Sequence, residues 1–224
     1  MKNLKFGLTT LMLLIAALVS GCAFHHDEVM GSGQRQRQKR EVPAFTSIST
    51  AGAYDVEVTV QKETSLEIEA DDNILPLITT DVSSGVLRIR SKMGYSTDEP
   101  IKLKITTPTL EGLSASGVGK IEISGLQNDK FEIESSGAPT IKASGESKTL
   151  RIKANGAGKI DAHKIRAASA FVESNGVAKV EVFASEELNA NVSGPSQVVY
   201  SGDPKVTKSV HGPGSVEKKA SEGS

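Results

Sequence analysis

Leu113-Ser114-Ala115-Ser116-Gly117-Val118-Gly119-Lys120-Ile121-Glu122-Ile123 is the first of six related stretches that carry the chain to Val216. Aligned on Gly117, Gly137, Gly156, Gly176, Gly194 and Gly212, the copies are spaced by 20, 19, 20, 18 and 18 residues. Four positions after each glycine stands a β-branched residue: Ile121, Ile141, Ile160, Val180, Val198 and Val216. Four before it stand Leu113, Ile133, Ile152, Val172, Ala190 and Lys208, so this column breaks only in the last copy. Two before it are Ala115, Ser135, Ala154, Ser174, Val192 and Val210. Self-similarity at a fixed period marks a stacked repeat, in which no copy can bury its apolar face alone.

Each copy reads as strand, bend and strand, with glycine supplying the crowded or positive-φ geometry of the bend. Asn155-Gly156 and Asn175-Gly176 are also good hairpin turns, which keeps an antiparallel meander open. The columns favour a parallel β-solenoid, where equivalent residues stack at about 4.8 Å and like sits above like. A meander requires no such identity. The expected class is all-β: a parallel β-helix of about six coils of 18–20 residues, preceded by a more irregular β-rich part.

That earlier part begins near Val42. Tyr54, Val56, Val58 and Val60 alternate with Asp55, Glu57 and Thr59, and Leu66–Ala70, Val86–Arg90 and Ile101–Ile105 alternate likewise. Period two over such runs means strands with one dry face. Asp71-Asp72-Asn73-Ile74-Leu75-Pro76-Leu77-Ile78 breaks the rule and reads as a single helical turn. Ser91–Pro100 is a turn-rich loop. The pattern allows this part either to continue the stack or to cap its end.

The chain opens with Lys2 and Lys5, an apolar run from Leu8 to Val19, and then Val19-Ser20-Gly21-Cys22. The run is too short to span a bilayer comfortably and has the form of a secretory signal over residues 1–21. Val-Ser-Gly-Cys resembles the lipobox of bacterial lipoproteins, which implies diacylglycerol on Cys22, the chain's one cysteine. With one cysteine no intramolecular disulfide is possible. Ala23 after it implies, by resemblance to enterobacterial sorting, an outer-membrane lipoprotein, with the periplasmic or surface side undetermined.

Residues 22–41 are polar and charged, which reads as a flexible tether. Its Arg35-Gln36-Arg37-Gln38-Lys39-Arg40 is expected to be solvated linker rather than a headgroup-binding patch. His25-His26-Asp27-Glu28 lies in the same segment and is not taken as a metal site. The domain is expected over 42–218, with a disordered tail at 219–224.

Net charge is −1 and tryptophan is absent. There is no global electrostatic case for nucleic acid, and few rings on which sugars or bases could stack. The outward columns carry what function the sequence shows. Three after each glycine stand Lys120, Thr140, Lys159, Lys179, Gln197 and Ser215; five after stand Glu122, Lys142, Asp161, Glu181, Val199 and Glu217. Lys120, Lys159 and Lys179 are the candidate ligand-binding residues, set against plain cross-coil charge pairing, which contributes little per pair.

No P-loop, dinucleotide turn, His-Glu-x-x-His or Gly-x-Ser-x-Gly occurs. Asp161 and His163 are the best catalytic candidates, and the connections around them are too short and even for a polysaccharide cleft. No enzyme, cofactor or metal is expected.

Phe45-Thr46-Ser47-Ile48, Tyr54-Asp55-Val56-Glu57-Val58, Asp72-Asn73-Ile74-Leu75 and Gly85-Val86-Leu87-Arg88-Ile89 form an ordered set of motifs. Ser116-Gly117-Val118-Gly119-Lys120-Ile121, Tyr200-Ser201-Gly202-Asp203-Pro204 and Gly212-Pro213-Gly214-Ser215-Val216 extend it. Together, over about Val42 to Lys218, they resemble the head GIN domain family (DUF2807), the auto-transporter adhesin heads. The resemblance implies a right-handed parallel β-helix on a secreted or lipid-anchored protein, and it brings no catalytic residues. The expectation is a non-catalytic binding head, held to the membrane through Cys22, with a cell-surface protein or glycan as ligand. The alternatives are a structural or stress-related periplasmic protein and, behind it, a β-helix polysaccharide-processing enzyme.

Overall fold

The computed structural model describes residues 28–220. The signal segment, Cys22, His25 and His26 lie outside the described residues, as do 221–224. Fifteen strands follow in order. The irregular part holds β1 (Val29–Met30), β2 (Arg35–Arg40), β3 (Ser47–Val60), β4 (Ser65–Asp71), β5 (Ile78–Ser83), β6 (Val86–Ser91), β7 (Tyr95–Ser96) and β8 (Ile101–Thr107). The repeats hold β9 (Gly112–Gly156), β10 (Lys159–Gly176), β11 (Lys179–Phe183), β12 (Glu187–Ser193), β13 (Gln197–Ser201), β14 (Lys205–His211) and β15 (Ser215–Lys218). The expected helical turn is a three-residue 3₁₀ turn, Leu75–Leu77.

The repeat columns are the sheet register. Ile160 pairs with Ile141 on one side and Val180 on the other, Val180 with Val198, and Val198 with Val216, all in parallel. On the first strand of each copy Ile152, Val172, Ala190 and Lys208 pair in the same way. Asn155 and Asn175 lie side by side in parallel register, with Asn175 Nδ2 donating to Asn155 Oδ1 at 3.1 Å. The hairpin alternative is therefore excluded across the described repeats.

At the bends from Gly117 to Gly176 glycine is required by close stacking. A Cβ on Gly137, where φ is +87°, would stand 2.4 Å from the carbonyl oxygen of Gly117, and one on Gly156 would stand 2.3 Å from that of Gly137. Real Cβ atoms do not come so near, so the bends stack only without side chains.

The earlier part both continues the stack and closes it. β3 lies parallel to β9 with Ile48 against Leu113, Gly52 against Gly117 and Val56 against Ile121. It is a further copy, 65 residues upstream, which the spacing between copies conceals. On its other side β3 pairs in parallel with β6 and β8, which together make one more layer. Beyond that layer the direction reverses: β5 is antiparallel to β6, β4 to β8, and β2 to β4. Ser84 and Gly85, both at positive φ, make the tight turn that reverses β5 into β6. The sheet as a whole is thus mixed, running from β15 at one end to β2 at the other. One apolar cluster runs through it from Phe45 to Val216.

The tether expected over 22–41 needs correction for its described part. Arg35–Arg40 is an edge strand paired residue by residue with β4. It is held by ladder hydrogen bonds and by its arginines rather than by apolar burial. Arg40 donates to the carbonyls of Ile78 and Leu75 at 2.6 and 2.9 Å. Arg35 donates to those of Glu69 and Pro100 at 3.1 and 2.9 Å and pairs with Asp71 at 3.4 Å. Of the expected tail, Lys219 still donates its N–H to the Tyr200 carbonyl.

At the far end Lys208 takes the inward column that Leu113, Ile133, Ile152, Val172 and Ala190 fill elsewhere, and its Nζ donates to the Val216 carbonyl at 3.2 Å. A charge pointing inward on the last copy is a way of finishing a sheet that would otherwise offer its edge to another chain.

Candidate binding face

The outer face of each copy's second strand carries the charged columns. Toward β2 they alternate in sign, across the parallel pairings of β3 and the antiparallel pairings of β4 alike. Arg37 stands against Glu69, Glu69 against Lys102, Lys102 against Asp55 and Asp55 against Lys120. In the neighbouring column Lys39, Glu67, Lys104 and Glu57 do the same. Arg37 Nε lies 2.7 Å from Glu69 and Lys102 Nζ 3.4 Å from it. The hydrogen bond from Arg37 and the Lys102 charge hold the Glu69 carboxyl below the usual range. An open depression of about 370 Å³ lies over these side chains and reaches Lys120 and Glu122.

Lys120, Lys159 and Lys179 share one column but do not form one cluster. Lys120 belongs to the alternating end, where its backbone N–H donates to Asp55 Oδ1 at 3.2 Å. Thr140 separates it from Lys159, which pairs with Lys179. Those two lysines converge on Glu181 at 4.0 and 3.0 Å.

Beside them the structure assembles a group that reading copy by copy does not connect. Asp161 pairs in register with Glu181, and His163 lies two residues beyond Asp161 on the same side. His163 Nδ1 hydrogen-bonds Asp161 Oδ1. Burial works to raise the Asp161 carboxyl, but the His163 hydrogen bond and the neighbouring positive charge hold it below the usual range. A signal was present seven positions after the glycine, where Ser124, Ser144 and Ser201 stand. These serines donate to carbonyls of the preceding layer, those of Val58, Ile123 and Val182. His163 and Phe183 depart from that column in adjacent copies.

A second unread feature runs along the bends. The residue after each glycine is Val118, Ala138, Ala157, Val177, Pro195 or Pro213, all exposed. They make a narrow apolar ridge beside the residues that precede each glycine, Ser116, Ser136, Asn155, Asn175, Ser193 and His211.

Among the described residues no helix is long and apolar enough to cross a membrane. No curated protein matches the sequence. The fold is similar to that of a "putative adhesin" from Bacteroides fragilis, with a TM-score of 0.72 and 25% identity over 85% of this chain and 100% of that one. A "putative lipid binding protein" from Parabacteroides distasonis shares the fold at a TM-score of 0.56 and 21% identity, over 86% of this chain and 100% of that one. A "putative adhesin" from Parabacteroides merdae shares it at 0.53 and 19%, over 87% and 100%. The family and these relatives are described as adhesins or as a binding protein, not as enzymes. Residues 44–204 match the family model described as "Putative auto-transporter adhesin, head GIN domain", and the chain belongs to that family.

Proposed function

We propose that the chain is a lipid-anchored cell-envelope protein whose head is a right-handed parallel β-solenoid serving as a non-catalytic binding module for a surface protein or glycan. The observation that carries this reading is the in-register stacking of like residues. It sets side chains of equivalent position at about 4.8 Å from copy to copy along the outer faces, as in the Asn155–Asn175 pair. Such a face suits an extended or periodic ligand, and Lys120, Lys159 and Lys179 are the cations it would offer. The family description and the Bacteroides fragilis relative support the binding role. Val19-Ser20-Gly21-Cys22 supports anchoring at Cys22, and Ala23 after it supports the outer membrane as the place.

A structural role in the periplasm is the second reading, favoured by the pairing of most charges on the face with one another, as in Arg37–Glu69 and Lys179–Glu181. Protease treatment of intact cells separates the two, with Cys22→Ala as the control that should release the head from the membrane. Digestion of the wild-type head on intact cells supports the adhesion reading. Protection until the outer membrane is breached replaces it with the periplasmic one.

A further inference from the structure

We propose that Asp161, His163 and Glu181 form a binding site for a divalent transition-metal ion of the zinc class. The ligand atoms of the three side chains lie within 4.8 Å of one another. The side chains are only 20, 31 and 14% exposed, so the donors are already gathered and partly desolvated on the sheet's outer face. One imidazole nitrogen with two carboxylate oxygens is a donor set that suits zinc and its neighbours and leaves a further position open.

The placement follows from the stack. Parallel register sets Glu181 against Asp161, and alternation along β10 brings His163 to the same face. The register against the preceding copy shifts between Asp161 and Lys164. Irregularities of this kind re-aim side chains and concentrate at functional sites. His163 sits where other copies keep a serine that ties neighbouring layers together, and a departure from a repeat's own rule is where function is expected to show.

In the metal-free protein the donors are occupied by weaker partners. His163 holds Asp161, and Lys179 holds Glu181 at 3.0 Å. Lys179 is 47% exposed and can swing into solvent. An ion would take the place of the proton between His163 and Asp161 and displace the Lys179 ammonium from Glu181.

The test is titration of the folded full-length chain with Zn²⁺, and with Co²⁺ read by its visible absorption. It is made in a background where His25 and His26 are replaced by alanine to remove a competing pair. One equivalent should bind. His163→Ser restores the residue of the column and should leave thermal unfolding of the metal-free protein unchanged while weakening binding at least about tenfold. Lys179→Ala should tighten it by freeing Glu181. No binding by the parent, or equal binding by the parent and His163→Ser, overturns the proposal. Unchanged or weaker binding by Lys179→Ala removes Glu181 from the site and overturns the three-ligand assignment.

Discussion

The repeats from Gly112 onward and the layers before them solve opposite problems with the same sheet. In the repeats one pattern is rewritten every 18–20 residues and the side chains find their neighbours by register alone. In the earlier layers no period survives. There strands reverse, unlike charges alternate, and arginines tie backbone carbonyls together. Repetition can extend a stack but cannot end one. Each finished end therefore needs residues that break the pattern: Arg35 and Arg40 at one, Lys208 at the other.

That division can be broken most sharply in the repeats. Ile160 is fully buried between Ile141 and Val180. Ile160→Asp should cost more than about 4 kcal/mol and unfold the middle of the stack, because it buries a charge with no partner. Chemical denaturation would read it. Arg40→Met should cost about 3 kcal/mol by leaving two carbonyls without their charged donor. Hydrogen exchange should locate that loss in β2 and β5 and leave the last copies protected. A uniform loss would mean that the two regions are one cooperative unit.

Gly137→Ala should cost about 2 kcal/mol, since it adds backbone strain at a bend where the new Cβ meets the Gly117 carbonyl. A smaller effect of acid sharpens the comparison. The folded Glu69 carboxyl lies below its ordinary value, so its contribution is present above that value. It should fade as pH falls through the folded one. Glu69→Gln should flatten the acid limb of a stability–pH curve, measured by thermal unfolding. Smallest of all, Lys159→Ser on the exposed face should stay within about 0.5 kcal/mol.

How much of this the sequence shows follows from the same contrast. The glycine and Ile/Val columns specify the register from Gly112 to Lys218 because each copy repeats its burial. Gly52 carries the same pattern, but one long interval hides it from a search by period. Arg35–Arg40 reads as linker because burial is what a hydrophobicity pattern detects, and an edge strand held by a ladder and by guanidinium groups has almost none. On the binding face, Asp161 and Glu181 share a visible column. His163 joins them only when residues are compared by stacking position rather than by distance along the chain. The ridge of Val118, Ala138 and Val177 lies at the bends, where period-two reading does not look.

The position of β3, between β8 on one side and β9 on the other, bears on how the chain assembles. It is made early yet stands inside the finished sheet, so it must wait about 65 residues for its partner in β9. Closing that loop costs about 1 kcal/mol more than closing one of a single copy's length. The cost falls once. After it, every added copy closes over only 18–20 residues, so later copies add length with local loops while the long-range step stays the same.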